Sequence, residues 1–333
     1  MLTIDGSYKE GGGQIVRTAA ALSAVMGVPV KITNIRAKRC TPGLKSQHIC
    51  AITAVAKMCN AKTKGVFLGS KEIEFYPSSL SNKDIHVAVP TAASVSLVLQ
   101  AILIVGWHLK KPITITIDGG ATFGKWAPPI TYTQEVLRPI LSKIGYDFNI
   151  SVLRHGFYPK GGAKVLVTIS PPKKLNPFEL QKQEDLKLFG LSIASKSLMA
   201  AHVTERQKKA AEKQIEREIY IKEEYVECDC PGSAVVLWGR GKNSRVGADD
   251  LGERGVPADK VGSVACDTLA EILESKAPID RNLADQIMPY LAFAGGVIKV
   301  EKTTQHTETN IWVTEQFVNK RFNIDYRTNL ISF

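Results

Sequence analysis

Hydrophobic and polar positions along the chain follow two periods, which predict helices and strands in a recurring order. Segment 14–26 is rich in alanine, ends at Gly27 and predicts a helix, whereas segment 30–35 alternates as a half-buried strand does. A second helix and strand are predicted over 94–109 and 113–118. We therefore expect one α/β unit to be repeated along the chain.

Further segments show the same two patterns. Helices are also predicted over 46–59, 128–144, 200–219, 257–273 and 280–294, and strands over 2–5, 71–76, 85–89, 149–154, 164–170, 224–229, 234–239, 297–301 and 311–315. The glycine- and arginine-rich segment 239–255 is predicted to be a loop.

The middle of the chain differs from its flanks in composition. The proline-rich stretch 171–177 interrupts the repeated pattern, as a linker does. Beyond it, charges of both signs balance along the helix predicted over 200–219, which is typical of a solvated helix face. We predict a large domain formed by residues 1–181 plus 276–333, with a smaller α/β domain, 182–275, inserted into it.

The net charge is +11 over 333 residues, and the excess is concentrated near the N-terminus. Residues 1–60 hold eight Lys and Arg but two Asp and Glu. This density indicates a site for a polyanion, although many basic proteins attract nucleic acid through charge alone. The longest apolar run, 92–107, is interrupted by polar residues and falls short of a bilayer span, so we expect no membrane partner and a cytoplasmic location.

Two segments near the N-terminus carry residue types suited to phosphate. Glu10-Gly-Gly-Gly-Gln14 joins a predicted strand to a predicted helix, where backbone N–H groups can approach a phosphate, and Arg17 follows one turn later. The loop 36–48 adds a dense basic cluster. Neither segment is a P-loop or a dinucleotide fingerprint. A tight packing corner and a solvated basic loop are the alternative interpretations.

Among the six histidines, His306 is the candidate nucleophile. It lies among small polar residues at a predicted loop-to-strand boundary, about 20 residues after the helical segment 283–286. A histidine of ordinary pKa is largely neutral at pH 7 and can attack phosphorus. Spacing alone leaves an ordinary polar histidine as the alternative.

Together these segments resemble the RNA 3′-terminal phosphate cyclase family along essentially the whole chain. The matching stretches are Asp5-Gly6, Glu10-Gly-Gly-Gly-Gln-Ile-x-Arg17, Ile35-Arg36-Ala-x-Arg39, Thr41-Pro-Gly-Leu-x-x-Gln47-His48, Leu97-Val-Leu-Gln100, Arg154-His-Gly-Phe-Tyr-Pro-Lys-Gly-Gly162, Ala284-Asp-Gln286 and His306. The resemblance implies an α/β (α+β) fold, in which a large domain of three repeated two-helix, four-strand units carries a smaller α/β domain inserted into the third.

The resemblance also implies a reaction on RNA that ends in a 3′-phosphate. A histidine attacks the α-phosphorus of ATP, and His306 matches that nucleophile. AMP passes from the histidine to the RNA 3′-phosphate, giving RNA(3′)pp(5′)A, and attack by the vicinal 2′-hydroxyl leaves a 2′,3′-cyclic phosphate. Glu10 matches a carboxylate that holds the divalent metal, Mg²⁺ or Mn²⁺.

Further site residues follow from the resemblance alone. The nucleotide-binding positions are Gln100, Pro128, Asn282, Leu283, Ala284, Asp285 and Gln286. The positions expected to contact phosphates of ATP or RNA are Arg17, Arg36, Arg39, Gln47 and His48. The chain departs from the pattern at Asn282, where bacterial relatives usually place a tyrosine over the adenine, and at Ala163, which replaces a third glycine.

Two other functions compete with this hypothesis. Cyclase-like proteins of ribosome assembly share the fold but lack the catalytic histidine, so the presence of His306 favours the enzyme. A basic RNA-binding module would explain the charge through counterion release, but it would not explain the Glu10 and Asp285 motifs. A homodimer is the default expectation for the oligomeric state.

Overall fold

Two four-stranded sheets of the same design form the first half of the protein. The computed structural model describes residues 1–333. The first sheet contains β1 (Leu2–Asp5), β2 (Val30–Thr33), β3 (Lys62–Lys64) and β4 (Ile73–Tyr76), and it carries α1 (Gln14–Met26) and α2 (Ser46–Met58). The second contains β5 (Ile85–Ser94), β6 (Ile113–Ala121), β7 (Asp147–Arg154) and β8 (Lys164–Ser170). Its helices are α3 (Val95–Gly106), α4 (Ile130–Tyr132), a π-helical turn (Thr133–Leu137) and α5 (Arg138–Lys143).

The third sheet is interrupted along the chain by a fourth. β9 (Phe178–Leu180) belongs to the third sheet, but the next strands are β10 (Lys187–Ser195), β11 (Ile219–Val226), β12 (Ser233–Arg240) and β13 (Arg245–Leu251), which pair with one another. A 3₁₀ turn (Lys196–Ala201), α6 (Val203–Gln214) and α7 (Ala258–Glu274) accompany them. The third sheet is then completed by β14 (Gly296–Lys299), β15 (Asn323–Asp325) and β16 (Leu330–Ser332). Its helices are α8 (Arg281–Ala294) and α9 (Gln305–Glu315).

Strand order confirms the predicted repeat. The first three sheets have the orders β1-β2-β4-β3, β5-β6-β8-β7 and β9-β14-β16-β15, so each begins with a parallel pair followed by two antiparallel pairings. The fourth sheet has a different order, β11-β10-β12-β13. A core of 72 buried residues runs through the repeated units, and a separate cluster of 13 lies in the segment that carries the fourth sheet. The predicted domain limits, 182 and 275, enclose that sheet and stay a prediction.

Two predicted elements that concern the site described below are wrong. Segment 311–315 is the end of α9 rather than a strand, because Thr304 caps this helix through its hydroxyl, which accepts from the backbone N–H of Thr307 at 3.1 Å. The predicted loop 239–255 contains β13, which pairs with β12 along its whole length. No helix of the protein has both the length and the apolar character required to cross a membrane.

Candidate active site

One pocket of about 470 Å³ is lined by residues from the three repeated units and from the fourth sheet. Its walls come from α1, α3, the start of α8, the first turn of α9, the loop 124–128 and the inserted strand β13. The predicted site residues that line it are Arg17, Gln100, Pro128, Asn282, Asp285, Gln286 and His306. Residues separated by almost 300 positions in sequence therefore face a single cavity.

His306 lies at the mouth of this pocket against the glycine-rich turn. Its Nδ1 is 2.6 Å from Oε1 of Glu10, and the other oxygen of Glu10 accepts from Nη2 of Arg39 at 3.1 Å. The side-chain amide of Gln14 donates to the carbonyl oxygen of His306 at 3.1 Å. The turn allows this approach because Gly11 adopts a left-handed φ of 59°, which suits a residue without a side chain.

Burial and the neighbouring charges set the charge state of His306. Burial lowers the pKa of the imidazole, and the Arg39 and Arg17 charges act in the same direction, while Glu10 opposes them. The ring is therefore neutral at pH 7. Oε1 of Glu10, 2.6 Å from Nδ1, places a carboxylate beside that nitrogen, and Nε2 makes no hydrogen bond within the protein.

A buried arginine and a buried carboxyl group form the floor of the pocket. Arg17 is 8% exposed and its guanidinium donates to Oε1 of Gln100 at 3.4 Å. Burial lowers the pKa of Arg17 to about 10, against the effect of Asp285, so it stays cationic at pH 7. Burial raises the pKa of Asp285 to about 8, helped by Asp280 and opposed by Arg17. Near neutral pH the floor therefore carries a net positive charge.

Two polar atoms in the pocket have no partner within the protein. Nε of Arg17 and Oε1 of Gln286 are buried without a hydrogen bond. A buried polar atom left unpaired costs about 1–3 kcal/mol. Both residues line the cavity, and the two atoms are a donor and an acceptor that the protein leaves unpaired.

Asn310 holds three helices around the pocket, and sequence reasoning missed it. Its Oδ1 accepts from the hydroxyl of Thr18 at 2.9 Å, and its Nδ2 donates to the carbonyl of Asp285 at 2.9 Å. These bonds join α9 to α1 and α8. They link positions 25 and 292 residues apart, so no local pattern could have predicted them.

Asp280 connects the fourth sheet to α8, a helix that lines the pocket. It is fully buried and caps α8 by accepting from the backbone N–H groups of Asn282 and Leu283 at 2.8 and 2.9 Å. It also accepts from the Tyr132 hydroxyl at 2.7 Å and from the N–H of Gly247 in β13 at 2.9 Å. One carboxyl group therefore fixes α4, α8 and β13 relative to one another.

Other predicted residues lie outside the pocket lining. Arg36 donates to the carbonyls of Thr41 and Gly43 at 2.6 and 3.0 Å, so it stabilises its own loop. Gln47 and His48 lie in the first turn of α2, where Nδ1 of the buried His48 accepts from the N–H of Lys45 at 2.9 Å. The side chains of Leu283 and Ala284 are fully buried in the main core and do not line the pocket, so their predicted contact with a nucleotide stays a prediction.

The His48 ring packs against the glycine-rich turn at Gly13. A Cβ atom on Gly13 would lie 2.0 Å from its Nε2, so only glycine fits at this position. Burial and three nearby cations, Arg17, Arg36 and Lys45, lower its pKa well below the usual value, and it is neutral at pH 7.

Several lining residues come from segments that the sequence did not assign to the site. Asp249, Asp250 and Leu251 of β13 form one wall. Lys125 and Glu253 bridge the loop 124–128 to the segment after β13 through an ion pair of 2.7 Å. The alternating apolar positions Val246 and Ala248, both buried, indicate the strand β13. The many glycines and arginines of that segment favour a loop instead and hide this pattern.

Comparison with known proteins assigns the chain to a family. The family model for RNA 3′-terminal phosphate cyclase matches residues 8–324. The chain is 44% identical to the RNA 3′-terminal phosphate cyclase of Pyrococcus furiosus, over 97% of this chain and 95% of that protein. It is 42% identical to the protein of the same name from Methanosarcina barkeri, over 99% of this chain and 98% of that protein. The chain belongs to the RNA 3′-terminal phosphate cyclase family.

Proposed function

We propose that this protein converts an RNA 3′-terminal phosphate to a 2′,3′-cyclic phosphate at the expense of ATP, with His306 as the nucleophile. The observation that carries the proposal is the pairing of Nδ1 of His306 with Glu10 at 2.6 Å, beside a pocket with Arg17 in its floor. Family membership supports cyclase activity in general. The covalent route and the residue roles are inferred from the geometry and from the resemblance of the motifs.

The first step would transfer AMP to the protein. Nε2 of His306 attacks the α-phosphorus of ATP, the bond to the β-phosphate oxygen breaks and pyrophosphate leaves. The Nδ1 proton moves no further than Glu10, whose carboxylate stabilises the positive charge that develops on the ring. Arg17 and Arg39 would neutralise charge on the phosphates, which is the main protein contribution in phosphoryl transfer.

Two further transfers complete the reaction. An oxygen of the RNA 3′-phosphate attacks the AMP phosphorus, the P–N bond to Nε2 breaks and His306 returns to its neutral form. The 2′-hydroxyl of the terminal ribose then attacks the 3′-phosphate and loses its proton to water, while AMP departs with the bridging oxygen. Arg17 and Arg39 would stabilise negative charge in all three steps, because each step is an attack on a phosphate group.

A divalent cation fits this site only together with the substrate phosphates. Glu10 offers one carboxylate, and no cluster of three or more His, Cys, Asp and Glu side chains forms a cage in the protein. Mg²⁺ commonly binds one or two carboxylates and completes its shell with phosphates and water. Glu10 would hold Mg²⁺ or Mn²⁺, and the ion would supply charge neutralisation on the ATP phosphates.

Covalent labelling tests the proposed nucleophile. The protein is incubated with ATP labelled on the α-phosphate plus Mg²⁺ or Mn²⁺, and an acid-labile adduct is expected. His306→Ala should abolish the adduct, whereas His202→Ala, which changes an exposed histidine of the fourth-sheet segment, should not. An undiminished adduct in His306→Ala would contradict the assignment, and no adduct in the native protein would favour a non-catalytic cyclase-like RNA-binding protein.

The role of Glu10 has its own control. Glu10→Ala should reduce adduct formation by about tenfold or more and weaken its dependence on the metal. Glu308→Ala is the matched change, because Glu308 lies one turn into the same end of α9 and pairs with Lys9 rather than His306. An unchanged metal titration in Glu10→Ala would remove Glu10 from the metal site.

A further inference from the structure

The two ends of the pocket carry opposite charge. Arg17 and Arg39 lie near His306, whereas Asp249 and Asp250 of β13 line the other wall. The charges of Asp250 and Asp280 raise the pKa of Asp249, whereas the charges around His306 do not contribute to its shift. If phosphates occupy the basic end, as the proposed function requires, then the base of the nucleotide faces the acidic wall.

The alternation of β13 directs Asp249 toward that wall. Val246 and Ala248 point into the small core of the fourth-sheet segment, so their neighbours face the opposite side. Gly247 confirms the orientation, because a Cβ there would lie 2.8 Å from the Tyr132 ring. Asp249 follows two residues later on the same face, which continues into the pocket.

Asp249 lacks a partner of its own. Its carboxyl group takes part in no hydrogen bond or ion pair within the protein. The charged and titratable groups on the surrounding elements are Asp250 of β13, Asp280 at the start of α8, Tyr132 of α4, and Glu253 with Lys125. Lys125, the one cation among them, is already paired with Glu253. Asp249 is partly exposed to the pocket, so its carboxyl group is free to bond to water or to a bound ligand.

We propose that Asp249 recognises the base of the bound nucleotide, by hydrogen bonding to its exocyclic amino group and to the adjacent ring nitrogen. This inference rests on the proposed use of a nucleoside triphosphate at this site. It makes the inserted segment responsible for base selection, a role that the sequence did not suggest for it.

The protonation state of Asp249 decides which purine is complementary. A carboxylic acid accepts from the N6 amino group of adenine and donates to its N1, whereas a carboxylate accepts from both N1–H and the N2 amino group of guanine. Burial, with Asp250 and Asp280 adding to it, raises the pKa of Asp249 to about 7. Both forms are therefore populated near neutral pH, and base preference should change with pH.

Calorimetric binding of two analogues tests this. The α,β-methylene analogues of ATP and GTP cannot transfer their nucleotide, so binding is measured without the histidine adduct. The ratio of their affinities cancels the titration of the triphosphate and of His306. In the native protein the adenine-to-guanine ratio should fall by about tenfold or more between pH 6 and pH 8, as the acid form is depleted.

Two isosteric variants separate Asp249 from its neighbour. Asp249→Asn should show the same adenine-to-guanine ratio at both pH values, because the amide does not titrate. Asp250→Asn should retain the pH-dependent ratio, with the change moved to lower pH by the loss of a nearby negative charge. Equal pH dependence in the native protein and Asp249→Asn, or no binding of either analogue, would overturn the proposal. A pH-dependent ratio without an adduct from labelled ATP would instead leave base recognition standing and refute the histidine mechanism.

Discussion

Replacing Asp280 with alanine should be among the most damaging single changes outside the reacting groups. Its carboxyl group accepts from four donors, which are the Tyr132 hydroxyl and the backbone N–H groups of Gly247, Asn282 and Leu283. The Tyr132 hydroxyl and the N–H groups of Gly247 and Leu283 lie in the interior, where water cannot replace a lost acceptor.

The expected cost follows from those bonds. Loss of the helix cap on α8 contributes about 1 kcal/mol. The stranded Tyr132 hydroxyl and Gly247 N–H each add about 1–2 kcal/mol, since a buried donor without a partner bears its full desolvation penalty. We expect Asp280→Ala to lower the free energy of unfolding by about 3–5 kcal/mol, and Tyr132→Phe, which leaves the backbone donors paired, by about 1 kcal/mol.

The penalty should also depend on pH in a defined direction. Burial raises the pKa of Asp280 to about 6, above its ordinary value of 3.8. A raised pKa means that the folded state binds the proton more tightly, so the stability due to this group is complete below pH 4 and is lost as the pH rises through 6. The cost of Asp280→Ala should therefore be larger at pH 5 than at pH 8.

Urea unfolding followed by circular dichroism measures both quantities. The native protein, Asp280→Ala and Tyr132→Phe are compared at pH 5 and pH 8 with slopes held common where they agree. A cost below about 1 kcal/mol at pH 5, no greater than a surface substitution, would refute the reasoning. So would a cost that increases from pH 5 to pH 8.

Three further outcomes are expected. Asn310→Ala should lower the free energy of unfolding by about 2 kcal/mol in urea titrations, because the partners of Asn310 on Thr18 and Asp285 are left buried. The stability difference between the native protein and Asp285→Asn should decrease from pH 5 to pH 9, since the pKa of Asp285 is raised to about 8; a constant difference would contradict this. Gly13→Ala should cut adduct formation by at least about tenfold, because the new methyl group collides with His48 and must displace the turn.

Much of the repeated architecture could be predicted from local pattern. Segments 14–26 and 164–170 are helix and strand over the predicted residues, because alternation or helical spacing of apolar side chains is sustained there. The three-residue strands β3, β9, β15 and β16 were missed, since so short a segment carries no measurable period. They are strands because the neighbouring strand supplies their hydrogen bonds.

The surroundings of His306 show where local pattern fails. Ile311, Val313 and Thr314 are β-branched and favour a strand in isolation, yet they belong to α9. Burial against neighbouring helices and the Thr304 cap outweigh a preference of a few tenths of a kcal/mol per residue. The position of Asp249 depends likewise on the docking of two separate sheets, which no single segment encodes.

Chemical competence of the histidine adduct is the most direct test of the central claim. The protein is labelled with ATP, freed of nucleotide and metal, and then mixed with an RNA that carries a labelled 3′-phosphate plus fresh Mg²⁺ or Mn²⁺ but no ATP. A 2′,3′-cyclic phosphate and free AMP are expected in equal amounts, each stoichiometric with the adduct on His306. An adduct that persists while the RNA end stays unchanged would contradict the claim.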